Sequence, residues 1–324
     1  MTEDRGVSSM SVDRSRSTMR TASDTVDEIV AMTRVCRDYP AQLAEVPWAP
    51  ETLYVRGRIV ADDALAVAIV GSRRATPYGL EVAERLGAAL GARGITVVSG
   101  LARGIDSAAH RGALDSGGRT IAVLGSGVDV VYPPENQRLA RRIIGAGAVI
   151  SQFTPGTRPL PYHFPERNRV IAGLALAVVV VEAAERSGAL ITAGFAAELG
   201  REVLAVPGRV SSPESRGAHR LIQDGAALVQ DAEDVIAALP ARWRACVKAA
   251  AADGQGSHAA TAPAVESDSG RVLEALGEDP VTIDDVIERS GMASGRATAL
   301  LLELELAGRI RQLDGKRFVL ARAG

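Results

Sequence analysis

Arginine recurs in this chain beside glycine or at the start of a helix, a pairing suited to holding phosphate. Four stretches carry it: Gly71-Ser72-Arg73-Arg74, Ser99-Gly100-Leu101-Ala102-Arg103-Gly104, Phe164 through Arg167-Asn168-Arg169, and Ser187-Gly188 running on to Thr192. The guanidinium fork matches a phosphate bidentately. Glycine lets a ligand approach the backbone closely, and a helix start offers free N–H groups. Arg167 and Arg169 lie about 200° apart on a helix, so only one of them points straight at a ligand, and spacing does not say which. Several such loops side by side fit a polyphosphate better than a single nucleotide. Single-stranded nucleic acid is the obvious one.

Catalysis is not demanded by the same residues. Ser72, Ser99, Ser126 and Ser187 would each need a base. The best-placed one, His110, sits in mid-helix and reads as a packing residue. Asp106, in the first turn of that helix, suits a cap or dipole role as well as an acid. No two carboxylates converge by spacing. Four scattered His with Cys36 and Cys246 make neither a zinc pattern nor a disulfide framework. Gly125-Ser126-Gly127 lacks the third glycine of a dinucleotide fingerprint and runs into Tyr132-Pro133-Pro134 where a helix should start. Lys occurs only at 248 and 316, which excludes a P-loop. No cofactor and no metal are expected.

The elements that must position these loops follow from the pattern between them. Leu176–Val181 is a short apolar run with four consecutive valines, a strand buried on both faces of a parallel sheet. Further strands are predicted at 67–70, 95–99, 119–124, 148–151 and 202–206. Helices fall between them at 78–92, 105–116, 135–145, 166–174 and 190–200, with another after 216. Strands and helices alternating at this spacing predict an α/β fold, a Rossmann-like, doubly wound, mostly parallel sheet with its ligand beyond the strands' carboxyl ends. Residues 1–24 read as a disordered polar tail, and 25–60 as a short leader packing on the main domain, with a helix within 27–37 and a strand at 53–56. The main domain spans 61–240 and a small-residue linker 241–269. A winged helix is predicted over 270–324, with a helix at 270–276, a second in the VTIDDVIERSGM stretch capped by Thr282 with Asp285 three residues later, a third at 294–307 and a hairpin around Asp314-Gly315. Its third helix carries Glu303 and Glu305 and few cations, so a protein-contact role is at least as plausible for it as DNA reading.

Composition sets the outer bounds. Of 324 residues 47% are hydrophobic and only 3% aromatic, so stacking platforms are scarce, and the formal net charge of −2 argues against a blanket nucleic-acid binder. Locally the balance reverses. Residues 138–220 hold eleven Arg against six Glu, with no Asp or Lys. No apolar run reaches about 18 residues, and the N-terminus lacks a signal-peptide core, so a cytoplasmic protein without a membrane partner is expected.

The ordered motifs resemble the DprA/Smf family of DNA-processing proteins. They comprise YPAQL at Tyr39–Leu43, LYVRG at Leu53–Gly57, GSRRATPYG at Gly71–Gly79, SGLARGIDSAAHRGAL at Ser99–Leu114 and TIAVLGSGVDVVYPPEN at Thr120–Asn136. FPERNRVIAGLA at Phe164–Ala175, VVVVEAAERSGALITA at Val178–Ala193, GREVLAVPG at Gly200–Gly208 and SRGAHRLIQDGA at Ser215–Ala226 complete the set. The resemblance implies a non-enzymatic, homodimeric protein that binds single-stranded DNA in the Rossmann-like pocket. It would load RecA recombinase there, displacing or bypassing single-strand-binding protein in natural transformation or recombination. Carried onto this sequence, the DNA contacts are Gly71, Ser72, Arg73 and Arg74; Ser99, Gly100, Arg103 and Gly104; Phe164, Arg167, Asn168 and Arg169; and Gly188 and Thr192. Three departures stand out. Ser151-Gln152-Phe153-Thr154 replaces a SEYP-like stretch, His219 stands where an Asn is usual, and the segment before Tyr39 is short for the family's helical N-terminal domain. The competing reading is a nucleotide-processing enzyme like the phosphoribohydrolases (lysine-decarboxylase-like), but the PGGxGTxxE turn of those proteins is not kept at Ser187–Thr192.

Overall fold

The computed structural model describes residues 28–248, and beyond them 272, 275, 276, 281–290, 292, 294–306, 310–313 and 317–320. The expected tail at 1–24 and most of the linker lie outside these. Contacts divide the chain into two units, Met1–Ala251 and Ala252–Gly324.

The first unit is built on one sheet ordered β1-β2-β6-β5-β4-β3-β7-β8-β9. Its strands are β1 (Val30–Thr33), β2 (Thr52–Gly57), β3 (Ala66–Val70), β4 (Thr96–Ser99), β5 (Thr120–Val123), β6 (Ala148–Ser151), β7 (Ala177–Val180), β8 (Glu202–Ala205) and β9 (Ala227–Leu228). From β6 to β9 every pairing is parallel. β1 and β2 add to the β6 edge antiparallel. A helix is predicted within 27–37, whereas the chain there forms β1, paired Val30 with Val55 through Thr33 with Thr52. Four residues of mixed exposure satisfy their backbone against β2 more readily than in a helix too short to nucleate.

Strand residues alternate between two cores. Ala66, Ala68 and Val70 face the layer of α1 (Ala41–Ala44), α5 (His163–Leu174) and α6 (Gly188–Glu198). Val67 and Ile69 face α2 (Pro77–Ala92), α3 (Ile105–Asp115) and α8 (Ala232–Ala238). α4 (Gln137–Ala146) packs beside α3 through Leu139, Ala140, Ile143 and Ile144. Caps fix where helices begin. Thr76 accepts from Gly79 N, with Pro77 at the first helical position, and Ser187 accepts from Ala189 N. α2 and α3 lie so close that a Cβ on Gly112 would strike the carbonyl of Glu84. The buried Asp63 carboxylate is satisfied by Arg119 Nε and Nη2 at 2.9 Å, Thr96 Oγ1 at 2.8 Å and Val60 N at 2.8 Å.

α7 (Arg216–Gln223) precedes β9, and α9 (Ala241–Arg244) ends the unit. Residues 241–248, read as the start of a linker, fold back on the domain: Trp243 and Val247 pack on the α2–α3 side, and Lys248 N donates to Arg93 O at 3.0 Å.

The second unit has β10 (Val281–Thr282), α10 (Ile283–Ser290), α11 (Ser294–Leu306), β11 (Ile310–Leu313) and β12 (Arg317–Leu320), with sheet order β10-β12-β11. Val272, Val286, Leu300, Leu301, Ile310 and Phe318 share its core. Thr282 caps α10 reciprocally with Asp285: Oγ1 donates to Oδ2 at 2.6 Å and accepts from Asp285 N at 3.3 Å. Val272 and Ala275 are helical, and the Asp314-Gly315 turn lies outside the described residues.

Candidate nucleic-acid interface

The sheet order reverses direction at β3. From there β4, β5 and β6 extend one way, and β7, β8 and β9 the other. The loops leaving β3 and β7 therefore diverge at their carboxyl ends and leave a crevice. It holds a cavity of about 750 Å³. Its walls are Gly71-Ser72-Arg73-Arg74 after β3, Phe164, Arg167 and Asn168 from α5, and Ser187, Gly188 and Thr192 at the start of α6.

Nine of the fourteen residues named from the sequence thus meet there. The other five stand behind or beside the cavity. Ser99 is fully buried and donates to Ile69 O at 2.6 Å. Gly100 lies under the Arg167 guanidinium, which would collide with any Cβ on it. Gly104 has φ +76° and starts α3, with a Cβ on it blocked by the carbonyl of Ser72. Arg103 is exposed and ion-paired with Glu135. Arg169 turns to the opposite side of α5, its guanidinium 4.9 Å from the Phe195 ring centroid and 5.9 Å from that of Trp48.

Arg167 and Arg73 do different things. Arg167 is 4% exposed and donates to the carbonyls of Gly100 and Val123, while its Nε donates to Asn168 Oδ1 at 3.1 Å. Burial lowers its pKa to about 10, and it stays a cation at neutral pH. It braces α5 against the carboxyl ends of β4 and β5. Arg73 is exposed and lies 4.9 Å from the centroid of the Phe164 ring, which tilts at 5.9 Å against Tyr132. Among the described residues Arg73, Arg74 and Arg186 are exposed at the cavity and make no ion pair, while the buried Asp106 carboxylate acts on Arg73 through space.

The scaffold behind them is tightly hydrogen-bonded. Asp106 accepts from Gly100 N at 3.1 Å and Ala102 N at 3.3 Å, so it caps the Ser99–Gly104 loop rather than its own helix. Burial raises its pKa, against the opposing pull of Arg167. Asn136 Nδ2 donates to Leu101 O at 2.8 Å. Glu182, at the end of β7, accepts from Thr76 N at 2.9 Å and Thr76 Oγ1 at 2.6 Å, locking α2 to the strand. Asn168 Nδ2 donates to Gly188 O at 3.3 Å and joins α5 to α6.

His110 packs as expected. Its Nδ1 lies 2.7 Å from Thr120 Oγ1, and burial lowers its pKa to about 3. His219 takes up the role of a backbone clasp, its Nε2 lying 3.2 Å from Gly208 N and 3.0 Å from Gly208 O. Sequence reasoning passed over Tyr132, Arg186 and Glu214, all of which line the cavity. Each lies in a loop at a carboxyl strand end, which was the signal available. No group of three or more His, Cys, Asp or Glu among the described residues is placed to hold a metal, and no described helix is long and apolar enough to cross a membrane.

The chain is thus a Rossmann-like open α/β sheet with an arginine-edged cavity at its switch point, together with a winged-helix domain. The chain belongs to the DprA/Smf family: residues 31–240 match the model of DNA recombination-mediator protein A, and residues 256–316 that of the DprA winged helix domain. It is 40% identical over 288 residues to protein Smf of Escherichia coli, covering 88% of this chain and 76% of that one. It is 47% identical over 199 residues to DNA processing protein DprA of Streptococcus pneumoniae, covering 61% and 70%. The X-ray structure of that DprA superposes with a TM-score of 0.61 at 43% identity over 67% of this chain and 77% of the other. DNA processing protein A of Helicobacter pylori, whose structure is described for its single-stranded DNA binding mode, gives 0.58 at 26% identity over 65% and 95%.

Proposed function

We propose that this chain binds single-stranded DNA without sequence specificity in the switch-point cavity and, as a homodimeric recombination mediator in the cytoplasm, loads RecA onto it, displacing or bypassing single-strand-binding protein. The observation that carries the DNA reading is the set of three arginines without ion pairs around a Phe164–Tyr132 aromatic pair, and membership of a DNA recombination-mediator family supports it. Phosphates gather on Arg73, Arg74 and Arg186, and an unstacked base lies against the Phe164–Tyr132 shelf. The braced floor keeps these groups in place before the strand arrives, which reduces the ordering cost of binding. No bond is broken in this role, and the chain acts by binding rather than turnover.

The test is fluorescence anisotropy of labelled single-stranded and duplex oligonucleotides across a salt series. Salt-sensitive binding selective for single strands supports the reading, and no binding at low salt overturns it. RecA loading is tested separately, by recombinase filament formation on strands precoated with single-strand-binding protein. The nucleotide-processing alternative has less support, because Glu198 closes the far end of α6 and does not line the cavity.

A further inference from the structure

Two carboxylates line the arginine-edged cavity: Asp106 is buried and accepts from Gly100 N and Ala102 N, whereas Glu214 is the more exposed of the two. It sits in the Pro213–Ser215 turn after β8. That turn is tied down on both sides: Ala183 N donates to Glu214 O at 2.8 Å and Gly217 N to Ala183 O at 2.7 Å. The side chain is held as well. Ser72 Oγ donates to Glu214 Oε2 at 3.1 Å and itself accepts from Arg74 N at 3.1 Å. Among the described residues Glu214 makes no ion pair, and its Oε1 has no hydrogen-bond partner. A fixed carboxylate oxygen is thus left for whatever occupies the cavity.

Such an oxygen repels phosphate and accepts hydrogen bonds. With phosphates drawn to Arg73 and Arg186, the group facing Glu214 must be a donor. Within a DNA strand the deoxyribose has no hydroxyl, so the donors are N–H groups of the bases. Cytosine, adenine and guanine each present an exocyclic amino group, and a carboxylate pairs with the cytosine N4 amine. Thymine presents the O4 carbonyl at that position, and its one N–H is flanked by two carbonyls.

We propose that Glu214 is a specificity-determining residue that accepts a hydrogen bond from the exocyclic amine of a bound base. It gives a sequence-tolerant binder a preference for cytosine over thymine. The proposal rests on the single-stranded DNA reading of the same cavity.

The experiment compares 20-nucleotide oligo-dC and oligo-dT by anisotropy, using the full chain and its Glu214→Gln variant at one salt concentration. The comparison is run at alkaline pH, where cytosine carries no proton and oligo-dC does not pair with itself. The wild-type protein is expected to bind oligo-dC about three- to tenfold more tightly than oligo-dT. Glu214→Gln keeps an oxygen for Ser72 and removes a negative charge. It should bind both strands more tightly and bring their ratio to within about twofold. A wild-type ratio near one, or a ratio unchanged by Glu214→Gln, overturns the proposal. A Glu214-dependent gain for oligo-rC over oligo-dC overturns it in favour of a ribose hydroxyl. No binding of either strand at low salt removes the DNA reading itself, a result distinct from equal binding of both.

Discussion

The guanidinium of Arg167 stands where a side chain on Gly100 would have to be. One residue is glycine so that the other can be a buried arginine. The cation reaches the carbonyls of Gly100 and Val123, which terminate neighbouring strands, and its charge lies near Asp106. This unit holds the floor of the cavity together.

Arg167→Ala should therefore act on stability before affinity. It leaves two carbonyls and the Asp106 carboxylate without their cation, at a cost of about 3–5 kcal/mol in chemical denaturation. Gly100→Ala should be destabilising in the same assay. An Arg167→Ala protein as stable as wild type would refute the bracing role.

Arg73 and Arg169 separate the cavity from its surroundings. Arg73→Ala should weaken single-stranded DNA binding across all sequences and lower the salt slope by about one unit. Arg186→Ala should do the same. Arg169→Ala should leave the slope unchanged and cost no more than about 1 kcal/mol of stability, because its guanidinium covers Phe195 and Trp48 instead. Anisotropy over a salt series reads affinity and slope together.

His110 predicts a pH dependence. Its folded pKa is lowered to about 3 by burial, whereas the ordinary value is 6.5. Above pH 6.5 the imidazole is neutral in both folded and unfolded chains and contributes no slope. Below it only the unfolded chain takes up the proton, so stability falls by about 1.4 kcal/mol per pH unit until the folded group titrates near 3. Denaturant midpoints measured from pH 7 to pH 4.5 should show this decline, and His110→Gln should flatten it.

Gly104→Ala tests the backbone of the same region. At φ +76° and with Ser72 O in the way, an added Cβ forces the β3 loop aside. We expect a loss of about 1–3 kcal/mol and weaker DNA binding, with Ser72 and Arg73 displaced. Normal affinity in this variant would show that the β3 loop tolerates movement.

Much of this architecture was legible because parallel strands buried on both faces leave short apolar runs, such as Ala177–Val180, that little else produces. The leader was less legible. Val30–Thr33 has mixed exposure and becomes a strand only by pairing with β2, a tertiary choice absent from local pattern. Helical spacing separated Arg167 from Arg169 by about 200° without saying which faced inward. That depended on Trp48, far away in sequence, providing a surface for one of them. Glu214 was hidden for a related reason: its contact with Ser72 spans 142 residues.

β3 and β7 pair Val67 with Ala177 through Val70 with Val180, so the crevice opens between strands 110 positions apart in the chain. A growing polypeptide has no such crevice until β7 has been made and has docked beside β3, and Glu214 arrives later still. No shorter stretch of this chain contains the cavity. Loop closure of this length is a slow kind of folding step. Whatever occupies the cavity can therefore engage only a chain that has completed that step.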